Sequence, residues 1–364
     1  ADENNIDLTI VGPEAPLVGG VVDQFRAAGR AIAGPTAAAA RLEGSKVFSK
    51  DFMSRAGIPT ARYETVSTPE DARRAIASFG TPVVLKADGL AAGKGVVVAQ
   101  DRAAAEAALP ALLSITGRLV VEEFLRGEEV SFIVLSDGRR AVPLEPTQDH
   151  KCLLDGDRGP NTGGMGAYSD SNILTGSQSE MIMDTIIEPT LAAMAARSDR
   201  YTGFLYAGLM MTTQGPKVLE YNARLGDPET QPLMYRLHCD WAEVLLAAAN
   251  GNLAGVRLDW KPEPSVCVVV AADGYPGAVR TGDVIRGIRE AEESGAIVFH
   301  AGTRQSDRGI ETAGGRVLGV TASGTDLRAA IANAYSATAK IDFEGMQYRR
   351  DIGAKGLDRR EASW

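Results

Sequence analysis

Strand-like and helix-like runs follow one another from the first residues onward. IDLTIVG (6–12) reads as a buried strand, APLVGGVVDQFRAAG (15–29) as a helix ending at Gly29, and AIAG (31–34) as a short strand closed by Pro35. That order predicts a βαβ unit with parallel pairing, a partial Rossmann-like region. Residues 36–57 read as a helix broken near Gly44. Residues 67–80 carry a full helix start, with Thr68 to cap, Pro69 for the first turn, and Glu70 and Asp71 at the positive end of the dipole.

From residue 82 the pattern turns β-rich. PVVLK (82–86), GVVVA (95–99), RLVVEEFL (118–125) and EEVSFIVLSDG (128–138) read as strands, with a helix from 102 to 114. SDGR (136–139) predicts a hairpin turn into RAVPLE. A Gly-rich stretch (156–168) precedes one long helix over 178–197. Residues 204–230 read as a hairpin turning at Gln214-Gly215, followed by a helix from about Pro228 to Ala249. From about 264, SVCVVVAA, AIVFHAG and RVLGVTA read as strands, and a helix follows SGTD. The whole is α/β (α+β multidomain). Its expected divisions are 1–35, 36–260 with a lid at about 81–136, and 261–364.

Composition narrows the classes. A chain of 364 residues exceeds one ordinary core. A net charge of −9 argues against nucleic-acid or anionic-membrane binding, while a few local cations can still hold an anionic small ligand. No apolar run reaches the length of a membrane span. The acidic opening ADENNID does not read as a signal peptide, and the chain is expected to continue upstream of Ala1. Cys152, Cys239 and Cys267 show no CxxC spacing, so buried structural cysteines in a reduced, cytoplasmic compartment are expected. His150, His238 and His300 lack metal-ligand spacing, and no GxSxG elbow is present.

KADGLAAGKGVVV (86–98) sets Lys86 and Lys94 around a Gly/Ala run between two strands. It has neither P-loop nor GxGxxG spacing. Glycine lets backbone N–H groups approach phosphate oxygens. Taken alone, the loop fits a tip that closes over phosphates and a solvated surface hairpin equally. VVEEFLRGEEVS (120–131) suits an adenine and ribose pocket, with Glu129 accepting from ribose hydroxyls, and also suits a solvated acidic turn. Glu220 and Asn222 fall on one face of a strand by period-two geometry. One carboxylate and one amide oxygen suit Mg²⁺ shared with phosphates. Polar residues facing water on an edge strand would read the same way.

The order of these pieces resembles the ATP-grasp superfamily, and their wording resembles its phosphoribosylamine–glycine ligase family. IVGPEAPLVGGVVD, KADGLAAGKGVVVA, VEEFLRGEEVSF, QDHK, GPNTGGMGAYS, YTGFLYAGLM, EYNARLGDPETQP, FHAGT and YRRDIG occur in that family's order, from residue 6 to about 353. Two departures accompany the likeness. A Gly-rich turn after the first strand is missing, and the segment between Leu113 and Arg118 is several residues short. The expectation is that residues are absent from the sequence there rather than from the protein.

The resemblance implies that ATP, glycine and 5-phosphoribosylamine give glycinamide ribonucleotide, ADP and phosphate in purine biosynthesis. It implies an ATP-grasp fold with a small β-rich C-terminal domain, Mg²⁺ or Mn²⁺, and a monomer. A carboxylate is a poor acyl donor until phosphorylated, and the amine is already a nucleophile, so positioning and charge neutralisation suffice. Carried over, Lys46 and Lys86 hold the nucleotide phosphates, and Gly93, Lys94 and Gly95 form the closing lid. Glu122, Glu123, Phe124, Leu125 and Glu129 line the adenosine site, and Glu220 and Asn222 bind metal. Arg224 and Lys94 serve catalysis. Glu14, Asp149, Asn161, Thr162, Gly163, Gly164, Arg224, Gly226, Asp227, Pro228 and Glu229 meet the other substrates, with GPNTGGMG (159–166) as a second backbone-amide cradle. For Arg224, an ion pair with Asp227 or Glu229 is the competing expectation. Another ATP-grasp carboxylate–amine ligase would share the nucleotide half. A nucleotide-sensing module without turnover would bind ATP and release no ADP.

Overall fold

A computed structural model describes residues 1–90 and 95–358. The chain divides into two compact units. One comprises Ala1–Leu144, Gly176–Leu225 and Asp240–Arg257, and the other comprises Glu145–Thr175, Gly226–Cys239 and Leu258–Trp364.

The first unit opens with the expected parallel pair, Thr9–Ile10 beside Ile32–Ala33. The connecting segment is two helices, Glu14–Val18 and Val21–Ala27, rather than one. Gly20 breaks it by taking a left-handed conformation at φ 83°. Leu17, Val22 and Ile32 pack there with Ala40 and Ala223.

A four-stranded antiparallel sheet follows in the order Tyr63–Val66, Leu119–Glu123, Val83–Ala87, Val96–Ala99. Helices Pro69–Phe79 and Arg102–Thr116 supply its core from Ala75, Ile76, Leu109 and Leu112 against Val83, Leu85, Leu119 and Val121. Each large aliphatic side chain buried there contributes about 1.5–3 kcal/mol. Thr68 caps the first helix by accepting from the Asp71 N–H, as its sequence predicts. Helix Arg102–Thr116 closes at left-handed Gly117.

A second antiparallel sheet in this unit orders Gly215–Asn222, Thr202–Thr212, Glu128–Asp137 and Ala141–Pro143. The helix expected over 178–197 is Gly176–Ile182, a π turn at Met183–Ile187, and Glu188–Ala196. Pro189 has no N–H to return to the preceding turn, which accounts for the wider turn before it.

The other unit carries Thr147–Asp149, Gly166–Ser169, Ser265–Ala271, Arg316–Ser323 and Ile297–His300 as one antiparallel run. The helix expected from Pro228 to Ala249 stops at Arg236 and restarts at Trp241. His238 N–H turns to Asp259 carbonyl, and Asp240 caps the new helix. Its two parts lie in different units. Among the described residues no helix is long and apolar enough to cross a membrane.

Candidate active site

Helix Lys46–Ala56 begins at Ser45, whose hydroxyl accepts from Phe48 N–H. Asp88, buried after strand Val83–Ala87, accepts from Ser45 Oγ at 2.9 Å and Val47 N–H at 3.2 Å, and pairs with Arg118 at 2.5 Å. Asp88 thereby fixes the helix start against the strand that carries Lys86. Lys46 Nζ donates to Gly89 carbonyl at 2.9 Å. Burial lowers its proton affinity, the Glu220 carboxylate opposes this, and the Lys86 charge reinforces it.

Lys86 is buried, with Nζ 3.1 Å from Glu122 Oε1 and 2.8 Å from Leu219 carbonyl, one residue before Glu220. Lys50, one helical turn beyond Lys46, meets Glu122 Oε2 at 2.9 Å and Thr60 Oγ1 at 2.7 Å. Burial pulls Lys50 down to about 8 against the attraction of Glu122. Glu122 is therefore the shared counter-ion of two buried lysines. Its Oε1 faces Lys86 as an ion pair and accepts no hydrogen bond.

Of the other proposed adenosine residues, Glu123 pairs with Arg62 at 2.7 Å. Leu125 packs with Ala61, Met210 and Leu219. The Phe124 ring lies 5.9 Å from the Arg126 guanidinium, and Glu129 is exposed opposite Met210. Gly95 is buried, and its carbonyl accepts from Ala87 N–H at 2.8 Å. Gly93 and Lys94 lie outside the described residues.

Glu220 and Asn222 sit half-buried on one strand with Tyr221 turned into the core. Beyond this strand, Ala223 N–H donates to Glu43 Oε2 at 2.6 Å. Arg224 reaches Glu43 at 3.0 Å and Glu14 at 3.4 Å. Arg224 thus meets two carboxylates from the N-terminal part of its own unit, Glu43 and Glu14. Burial raises the Glu43 carboxyl, against the pull of Arg224. Among the described residues no three His, Cys, Asp or Glu side chains cluster to hold a metal.

In the other unit, Arg316 gathers two predicted segments. Nη1 donates to Gly163 carbonyl at 2.6 Å and Asp227 carbonyl at 3.0 Å, while Nη2 meets Asp227 Oδ2 at 2.7 Å. The expected amide cradle is already engaged. Thr162 N–H donates to Lys151 carbonyl, Gly163 N–H to Tyr275 Oη, and Gly164 N–H to Thr162 Oγ1. Gly164, at φ 109°, approaches Pro228 so closely that a Cβ would stand 2.4 Å from its Cδ. A Cβ on Gly226 would meet the buried Glu229 carboxylate at 2.5 Å. Asp149 pairs opposite Ala167, and Asn161 opposite Cys152.

Three family models cover nearly the whole chain. They are the N domain of phosphoribosylglycinamide synthetase at residues 1–43, its ATP-grasp (A) domain at 44–230, and its C domain at 265–355. The chain belongs to the phosphoribosylglycinamide synthetase family. A phosphoribosylamine–glycine ligase of Yersinia pestis is 51% identical over 99% of this chain and 86% of its own length. A crystal structure of phosphoribosylamine–glycine ligase from Thermotoga maritima matches with a TM-score of 0.79 at 38% identity, over 88% of this chain and 81% of that one. A biotin carboxylase complex from Campylobacter jejuni shares the fold, with a TM-score of 0.73 at 16% identity over 98% of this chain and 80% of that one.

Within this synthetase-family chain, sequence reasoning missed Lys50, Glu43 and Arg316. Lys50 carried a usable signal, the four-residue spacing from Lys46 that places both on one helix face. Glu43 and Arg316 carried none, because their partners come from distant strands and loops.

Proposed function

We propose that this chain ligates glycine to 5-phosphoribosylamine with ATP, through glycyl phosphate, giving glycinamide ribonucleotide, ADP and phosphate. Membership of the synthetase family supports the overall reaction. The observation that carries the residue roles is the reach of Lys86 to Leu219 carbonyl, which sets a buried cation beside the strand bearing Glu220 and Asn222.

Lys46 and Lys86 neutralise nucleotide phosphates, and Lys50 keeps Glu122 compensated when Lys86 turns to the ligand. Lys94 acts on the phosphates, and Glu129 accepts from the ribose. Glu220 and Asn222 would hold a Mg²⁺ or Mn²⁺ ion, for which their carboxylate and amide oxygens are suitable hard donors. The bound cation would spread the charge of the transferring group. A glycine carboxylate oxygen attacks the γ-phosphorus, and the bond to the bridging oxygen breaks to release ADP. The amine then attacks the acyl carbon, phosphate leaves, and the amine proton passes to solvent. Arg224, held by Glu43 and Glu14, orients an anionic substrate group. Loops 161–164 and 226–229 shape the glycine and phosphoribosylamine positions through side chains and carbonyls.

A cytoplasmic monomer completes the proposal, with size-exclusion mass as its check. ADP release is measured against a panel of amino acids with and without phosphoribosylamine. Release only with glycine and the amine together supports the ligase. Nucleotide binding without ADP release under any substrate supports a sensing module, and another preferred carboxylate supports a different ligase.

A further inference from the structure

Helix Lys46–Ala56 has two chemically distinct faces. Lys46 and Lys50 share one. Phe48, Asp51, Phe52 and Arg55, at three- and four-residue spacing, share the other. Against this second face lies an open cavity of about 300 Å³. Its wall carries the guanidiniums of Arg41, Arg55, Arg118 and Arg197 and a single carboxylate, Asp51.

That charge is uncommon for a protein of net charge −9. Asp51 already accepts from the Tyr63 hydroxyl at 2.9 Å. Arg118 is paired with Asp88, yet its side chain remains 53% exposed. Among the described residues, Arg41, Arg55 and Arg197 form no ion pair. Arg41 and Arg197 instead lie 4.0 Å and 5.3 Å from the centroid of the Phe48 ring. Cation–π contact orders a guanidinium without using its N–H donors, which stay open to an acceptor.

We propose that this cavity binds a small polyphosphate anion at a site separate from the nucleotide lysines. Guanidinium forks match phosphate oxygens in pairs, and four around one cavity suit more than one phosphate group. In the first turn of the helix Val47 N–H is held by Asp88 and Phe48 N–H by Ser45. Recognition rests on the arginines. Arg118 joins the cavity to Asp88, and Asp88 fixes the start of the helix that carries Lys46.

Equilibrium dialysis with radiolabelled pyrophosphate, in saturating ADP, separates this site from the nucleotide site. The expected result is one equivalent of pyrophosphate per chain that ADP does not displace. Arg55→Glu with Arg197→Glu should weaken it at least tenfold and leave ADP affinity unchanged. Displacement of all pyrophosphate by ADP would overturn the proposal. So would an unchanged ADP-resistant site in a double variant that keeps the native thermal transition. Should the double variant not fold, Arg197→Gln is read in the same titration. A loss of at least threefold supports the site, and an unchanged affinity removes it. Failure of ADP itself to bind would count against the nucleotide site and not against this one.

Discussion

Glu122 holds two buried lysines at once, and that arrangement sets the behaviour of each. Breaking a buried pair from one side costs about 3–5 kcal/mol, because a charge is left without compensation. Glu122→Gln, which strips both lysines of their counter-ion, should therefore lower unfolding free energy by about that much, and Lys50→Met, which leaves Glu122 paired with Lys86, by clearly less. Denaturant midpoints of the two variants check this. The pH dependence has a definite sign. The folded value of Lys50, about 8, lies below its ordinary value of 10.5, so the unfolded chain holds more protons between them. The burial penalty is full below pH 8 and is relieved as pH rises, so this group makes stability increase from pH 8 towards 10 by at most about 1.4 kcal/mol per pH unit. Lys50→Met should remove that rise; an identical slope in the variant would assign the titration elsewhere. Lys86→Met should weaken ATP binding about tenfold or more, whereas Lys94→Ala should mainly lower kcat, as expected for a group that acts on closure. Equal losses of nucleotide affinity would contradict the division. Glu220→Gln and Asn222→Ala should each raise the Mg²⁺ concentration needed for half-maximal rate several-fold with the thermal transition retained. Unchanged Mg²⁺ dependence in both would place the metal elsewhere.

At the scale of elements, local chemistry announced what local chemistry determines. The capped helix Pro69–Phe79, the hairpin Thr202–Thr212 with Gly215–Asn222 and the parallel pair at residues 9–10 and 32–33 follow from their own residues. The helix breaks at Gly20 and Leu237 were less visible. Nothing near 237 marks the stop until Asp259 and Trp260 arrive to take its backbone groups. The same reasoning separates Lys86 and Glu220, legible from their strands, from Glu122, whose partners are fixed by tertiary packing. Loop 159–166 shows the limit most clearly. Its glycines read as an amide cradle, but the Tyr275 and Thr162 hydroxyls occupy the Gly163 and Gly164 amides, and the Lys151 carbonyl that of Thr162. Glycine at 164 is required by left-handed backbone and by Pro228, so Gly164→Ala should destabilise this loop. Arg316 then becomes the element that holds two loops in register. Arg316→Ala should raise KM for glycine or phosphoribosylamine about tenfold, roughly 1.4 kcal/mol, with KM for ATP within about twofold. Steady-state kinetics with each substrate varied in turn would show this, and an equal rise for ATP would contradict it.

Across the whole molecule, the proposed ligation needs no side-chain nucleophile. Burial pushes the Cys267 thiol up to about 12, which leaves it almost wholly protonated at neutral pH. Burial also pulls His150 down to about 4, so it is neutral there and carries no charge for phosphate. The chemistry then falls to ATP and the glycine carboxylate, with the chain supplying buried cations, oxygen donors for a metal and rigid loops. Replacing Cys152, Cys239 and Cys267 together by Ser or Ala should leave ligation running in any variant that folds. The most direct measurement follows the carboxylate oxygen. With glycine labelled by ¹⁸O in its carboxylate, one labelled oxygen should appear in the released phosphate for each amide formed. If the phosphate carries no label while amide is formed, glycyl phosphate is not an intermediate and the central claim is wrong.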